Sequence, residues 1–187
     1  MSAQGSILFD APVQQSCWQV PSELPDLRPV PRFSLDCETN GKNVFKHKPV
    51  GVSLGWRDES QALRTIYAPF GHASGNIDPQ LVHRWLSYIL RDKEVVFANA
   101  KFDVHMLRNG FDLDLEALGV KPSDVAFSAA LRNDSRHADL SLNAIGLEYV
   151  GRGKEEFPGD LNRMATYASW MAGPYAEGDA GITLESD

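Results

Sequence analysis

Cys17 and Cys37 are the only cysteines in the sequence, too few for a disulfide framework or a thiolate zinc centre and in keeping with a reducing cytoplasm. Long hydrophobic runs are missing too: no stretch nears the roughly 20 apolar residues a membrane-spanning helix needs. The N-terminus lacks a basic patch followed by an apolar core, so no secretory signal is expected. Positive charge is in deficit, with 18 Lys and Arg against 25 Asp and Glu and a formal net charge of -7. That balance argues against a protein that coats nucleic acid through a broad basic surface. It permits an enzyme that grips a few nucleotides of one strand end in a local groove, because a cluster of metal-binding acids would itself lower the net charge. His72, His83 and His105 lack ligand-like partner spacing and read as structural or exposed residues. What remains is ordinary globular material: 187 residues, 43% of them hydrophobic, enough for one well-buried domain.

Residues 1–31 contain Pro12, Pro21, Pro25, Pro29 and Pro31 and no sustained periodicity, so they read as an irregular arm, with Trp18 the residue to pin it to the core. The domain proper spans 32–187. Phe33 to Thr39 has the two-residue period of a strand, with Phe33, Leu35 and Cys37 on one face and Ser34, Asp36 and Glu38 on the other. Asn40-Gly41 is a turn, followed by a basic loop from Lys42 to Lys48 that Val44 and Phe45 interrupt. Val50 to Trp56 and Leu63 to Ala68 are two further strands about a polar turn, giving a three-stranded antiparallel start. Asp78-Pro79 caps a helix carrying Leu81, Val82, Trp85, Leu86, Ile89 and Leu90. Val95 to Ala98 is a buried strand and Asn99 to Arg108 a helix, so strand, helix, strand and helix imply a crossover with parallel pairing. Asp124 to Leu131 reads as a short strand turning into a helix, and Leu140 to Tyr149 as an amphipathic helix ending at Gly151. Leu161 to Met171 is expected to be helical, broken at Gly173-Pro174, with a last helix from Tyr175 to Glu185.

Asp36 and Glu38, neighbours on one strand face, repel unless water solvates them or a cation neutralises them, and a divalent metal is the obvious cation. A solvated acidic edge strand would have the same spacing. Asp103 falls in the first turn of a helix at the carboxyl edge of the sheet, where sites form and where the helix dipole also favours an acid. Asn99 just before it has the type of an N-cap. Tyr175 and Asp179, four residues apart, share a helix face.

Taken together, Asp36-x-Glu38, Asn99-x-x-x-Asp103 and Tyr175-x-x-x-Asp179 resemble the three motifs of the DEDDy 3′–5′ exonucleases, in the same order. Ser135-Arg136-His137-Ala138-Asp139-Leu140-Ser141-Leu142 resembles the segment before motif three in DNA polymerase I-like proofreading domains. Gly173-Pro174-Tyr175-Ala176-Glu177-Gly178-Asp179-Ala180 is similar to family A polymerases of bacteriophages. The resemblance implies an α/β domain of the ribonuclease H-like type, a mixed five-stranded sheet in the order 3-2-1-4-5 with helices on both faces. It implies two Mg²⁺ or Mn²⁺ ions, Asp36 bridging them, Glu38 and Asp179 completing the tighter site, Asp103 holding the second ion, and Tyr175 orienting the attacking water. Such ions need hard oxygen ligands that hold them about 3.5–4 Å apart. Thr39, Asn40, Phe45, Asn99 and Arg136 are the implied substrate contacts. The implied substrate is a single-stranded or frayed 3′ DNA end, and the implied partner a DNA polymerase domain or subunit. The same five residues also suit an RNA-processing exonuclease, and the fold alone would suit a catalytically silent DNA-binding or polymerase-docking module.

Overall fold

In the computed structural model, which describes residues 17–132 and 139–187, the expected mixed sheet is present. Its strands are β1 (Arg32–Thr39), β2 (Pro49–Arg57), β3 (Leu63–Pro69), β4 (Glu94–Phe97) and β5 (Lys121–Asp124), ordered β3-β2-β1-β4-β5. β1 pairs antiparallel with β2 and parallel with β4, β2 pairs antiparallel with β3, and β4 pairs parallel with β5. The helices are α1 (Pro79–Ile89), α2 (Ala100–Phe111), α3 (Val125–Arg132), α4 (Leu142–Ile145) and α5 (Ser169–Glu185). No helix among the described residues is long and apolar enough to cross a membrane.

The alternation of β1 divides the domain. Phe33, Leu35 and Cys37 enter the larger core with Val52, Leu54 and the buried stripe Val82, Leu86 and Ile89 of α1. Each such large side chain contributes about 1.5–3 kcal/mol on leaving water. Asp78 starts α1 as expected, its side chain accepting from Gln80 N–H with Pro79 at the first helical position. On the opposite face α5 lies across β1, β2 and β3. There Ser34 Oγ donates to the Ala180 carbonyl at 2.6 Å. A Cβ on Gly55 would stand 2.9 Å from that carbonyl oxygen, so the close approach of α5 requires glycine at this position.

Three local expectations change. Leu161–Thr166 is a 3-10 segment with Arg163 off helical geometry, and the chain breaks at Tyr167 and Ala168 rather than at Gly173-Pro174. The cause is long-range: Ser74 bridges Ala168, Ser169 N–H donates to the Ser74 carbonyl at 3.1 Å, and Ala73 N–H donates to the Tyr167 carbonyl at 3.1 Å. That extended segment sets the start of α5 at Ser169, which places Pro174 inside the helix. The helix foreseen from Leu140 is a short α4 capped by Ser141, continuing as a π-type turn over Gly146–Val150 and ending at Gly151 with φ 80°. Asp124 ends a strand instead of beginning one. The described part of the arm does dock through Trp18, whose indole N–H donates to Glu177 Oε1 on α5 at 2.8 Å.

Candidate active site

The site forms where the sheet opens. β4 pairs with β1 only through Arg32, Phe33 and Ser34, so beyond Ser34 that flank of β1 has no strand beside it. α2 fills the gap: Asp103, only 1% exposed, accepts the Cys37 backbone N–H on Oδ1 at 3.1 Å. The Asp103 carboxylate thus takes over a hydrogen bond that a strand would otherwise receive. Asp124 fixes the start of α2 by accepting Ala100 N–H at 2.8 Å, while its other oxygen accepts Ala126 N–H at 2.9 Å to cap α3.

From β1 come Asp36 and Glu38, and from α5 comes Asp179; one ligand oxygen of each lies within 4.8 Å of the others. Glu38 and Asp179 are buried, and Glu38 Oε1 and Asp179 Oδ1 have no hydrogen-bond partner among the described residues. Buried carboxylate oxygens without donors are costly unless a cation meets them, and hard oxygens converging in this way suit Mg²⁺ or Mn²⁺. The residues therefore fit the group. Burial, and then the Asp36 and Asp179 charges, push Glu38 well above the usual carboxylate range. Burial and then Asp36 do the same to Asp103. Asp179 is raised to about 7 by burial and Asp36, against the lowering effect of Lys154. Asp36 keeps part of its surface open to the cleft, yet burial raises it as well, with Lys154 again opposing. Asp103 stands beside the three-acid cluster rather than within it.

Tyr175 packs against Met164, Ala172 and Phe157, with its hydroxyl at the cleft, and burial holds its phenol above the ordinary value. The cleft, about 210 Å³, is lined by Asp36, Glu38, Thr39, Lys42, Lys154, Tyr175 and Asp179 among others. Thr39 donates its hydroxyl to the Gly41 carbonyl at 3.0 Å. Asn40 clasps the base of the basic loop, accepting Lys48 N–H on Oδ1 at 2.8 Å. Phe45, 86% exposed, projects from that loop. Asn99 caps α2 by accepting Phe102 N–H at 3.4 Å. Asn40, Phe45 and Asn99 are outside the cleft lining, and Arg136 lies outside the described residues. His72 is buried and shares a 2.6 Å hydrogen bond with the Tyr67 hydroxyl, a structural role.

Lys154 was not foreseen. Its ammonium pairs with the Asp179 carboxylate and donates to the Tyr175 hydroxyl at 2.9 Å. The only sequence hint is a lysine just after the glycine pair of Gly151-Arg152-Gly153-Lys154, which periodicity does not connect to residues 21 or more positions away.

Over residues 21–185 the chain matches the family model described as 3′–5′ exonuclease. The chain belongs to that 3′–5′ exonuclease family. No curated protein matches it. Among solved structures, Brucella melitensis NrnC superposes with a TM-score of 0.60 at 18% identity, covering 86% of this chain and 72% of the other. The same protein with bound Mg²⁺ gives 0.58 at 19%. Exonuclease I gives 0.56 at 12%, covering 82% of this chain and 39% of the other. The catalytic core of RRP6 from Trypanosoma brucei gives 0.54 at 15%, covering 86% and 40%. At these identities the likeness is one of fold, the ribonuclease H-like α/β arrangement of this exonuclease domain.

Proposed function

We propose that this exonuclease domain uses two Mg²⁺ or Mn²⁺ ions to hydrolyse DNA from a free 3′ end, releasing 5′-mononucleotides, and that it proofreads for a DNA polymerase domain or subunit. The observation that carries the reading is the convergence of Asp36, Glu38 and Asp179 within 4.8 Å, with two buried oxygens left without partners among the described residues. Asp36, Glu38 and Asp179 would hold the tighter ion, with Asp36 and Asp103 serving the second. Bound there, such ions neutralise charge on the phosphodiester and make water more acidic.

The reaction adds water across the terminal phosphodiester. A bond from water oxygen to phosphorus forms, the bond from phosphorus to O3′ breaks, and the shortened strand leaves with a 3′ hydroxyl. Tyr175, with its phenol raised above its ordinary value, keeps its proton at neutral pH and acts as a hydrogen-bond donor that orients water, not as a base. Thr39 and Lys42, in the cleft lining, would meet the terminal nucleotide, and the exposed Phe45 of the neighbouring loop would stack on or wedge against a base. Asn40 and Asn99 support this path by shaping the backbone around it, and Arg136 is the phosphate contact. A DNA substrate is favoured by the polymerase-like sequence around Tyr175 and Asp179.

The deciding assay offers labelled single-stranded DNA, single-stranded RNA, and matched and mispaired duplexes, each with Mg²⁺, Mn²⁺ or a chelator. Metal-dependent release of 5′-mononucleotides from single strands and mispaired ends, faster than from matched duplex, is expected. Opening a terminal pair costs stacking energy of about 1–2 kcal/mol per step. Faster cleavage of RNA would instead assign an exoribonuclease, and no metal-stimulated hydrolysis of any strand would leave a silent binding module.

A further inference from the structure

Lys154 enters the cleft from a segment separate from the strand and helix that supply the acids. Its backbone N–H is fixed by Asn143 Oδ1 at 3.0 Å, following the turn that Gly151 closes at φ 80°. The side chain, 28% exposed, pairs with Asp179, which is 3% exposed. The same ammonium donates to Tyr175 Oη at 2.9 Å and lies 4.9 Å from the centre of that ring. It therefore has two seats in one place, a carboxylate and a phenol.

Three carboxylates with oxygens within 4.8 Å of one another repel strongly. One ammonium at hydrogen-bond distance offsets a single unit of that charge, and Lys154 is the cation that acts on Asp36, Glu38 and Asp179 alike. A divalent ion among the same oxygens offsets two units and repels the ammonium. Lys154 can then release Asp179 while keeping the Tyr175 hydroxyl and ring. We propose that Lys154 is the resident counter-cation of the acid cluster: it holds Asp179 before a divalent ion binds, yields it when the ion arrives, and so sets the affinity for the ion. The inference rests on the metal-binding reading above and makes Lys154 a positioning residue.

The test is calorimetric titration of the full chain with Mn²⁺ alone, comparing wild type with Lys154→Met, Lys154→Arg and Asp36→Asn. Lys154→Met is expected to bind Mn²⁺ at least about tenfold more tightly, since no ammonium has to be displaced, and Lys154→Arg to stay near wild type. In chelator the Met variant should melt below wild type, with a larger rise on adding Mn²⁺. A second measurement needs no substitution: reductive methylation of wild-type protein read by mass spectrometry. Lys154 should react several-fold faster with Mn²⁺ present, while the exposed Lys121 is unchanged. Equal or weaker Mn²⁺ binding by Lys154→Met, or Lys154 labelling that Mn²⁺ leaves unchanged or slows, overturns the inference. If Asp36→Asn titrates like wild type, the metal reading itself falls, and this inference with it.

Discussion

Two glycines of α5 should respond to the same substitution with opposite sign. Replacing glycine by alanine inside a helix is worth about 0.8–1 kcal/mol in favour of the helix. A Cβ on Gly178 would meet nothing within 4 Å, so Gly178→Ala should realise most of that gain. A Cβ on Gly173 would stand 2.2 Å from Cδ2 and Cε2 of Trp18, and neither backbone nor helix can move away cheaply. The indole must shift, putting at risk its 2.8 Å hydrogen bond to Glu177 and its contact with the Tyr67 ring, 6.1 Å away. A hydrogen bond to a charged acceptor contributes roughly 1.5–3 kcal/mol and overpacking costs about 1–3 kcal/mol. Glu177 retains the Tyr67 backbone N–H at 3.1 Å and is not orphaned, which favours the low end of both ranges. Because Gly173 precedes Pro174, the propensity gain is forfeited, and Gly173→Ala should destabilise by about 2–3 kcal/mol, a melting shift of roughly 2–4 °C per kcal/mol for a chain of this size. Urea unfolding of both variants, alone and with Trp18→Ala, measures it. In the Trp18→Ala background most of the Gly173→Ala penalty should vanish, what remains being the crowding of an alanine Cβ against the Pro174 ring. A penalty undiminished by removal of Trp18, or a stabilising Gly173→Ala in the wild-type background, would refute the reasoning.

Three further outcomes are expected. Asp103→Asn should keep an acceptor for Cys37 N–H and fold normally while losing at least ~10²-fold in hydrolysis, whereas Asp103→Ala should in addition lose about 1–3 kcal/mol by orphaning that buried N–H; equal urea midpoints for the two would contradict the hydrogen bond. Tyr175→Phe should slow turnover less than any acid substitution, because it removes a hydroxyl and no carboxylate, and single-turnover rates on one DNA strand make the comparison. In chelator, stability should rise as pH falls from 8 to 6.5: folded Glu38, Asp103, Asp36 and Asp179 have raised pKa values, Asp179 about 7, so the native state binds protons the unfolded chain does not. Saturating Mg²⁺ should flatten that slope, and below about 6.5 His72, lowered by burial, pulls the other way; denaturant midpoints in chelator that fall steadily from pH 8 to 6.5 would reverse the sign and refute it.

Local periodicity placed each acid on its strand or helix face, while grouping them into one site came from the resemblance to exonuclease motifs and not from spacing. Asp36 and Glu38 could be placed on one face because a strand alternates, and Tyr175 and Asp179 because a helix repeats every four residues. Asp103 followed from a buried strand running into a capped helix. The false break at Pro174 came from weighing a local helix breaker above the Ser74 to Ala168 bridge, a contact across 94 positions that no pattern in the sequence records. Lys154 escaped for the same reason, since its partners lie on a helix that begins 15 residues later. Asn40 and Asn99 look like nucleotide contacts by position, yet their side chains already serve backbone groups of this chain.

The divided origin of the cleft has a bearing on its motions. Asp36, Glu38, Asp103 and Asp179 stand on the central strand and on two helices packed against the sheet, whereas Lys42, Phe45 and Lys154 stand on connecting loops. Elements with many buried contacts open only with the whole domain, while loops open at far lower cost. On warming, amide exchange should therefore appear first between residues 41 and 48 and around Lys154, with the strand bearing Asp36 among the last to exchange. With Lys42 and Phe45 gripping the strand as proposed, that grip should fade before the acids part, so heat would raise the substrate concentration needed for half-maximal rate well below the temperature at which the rate itself collapses.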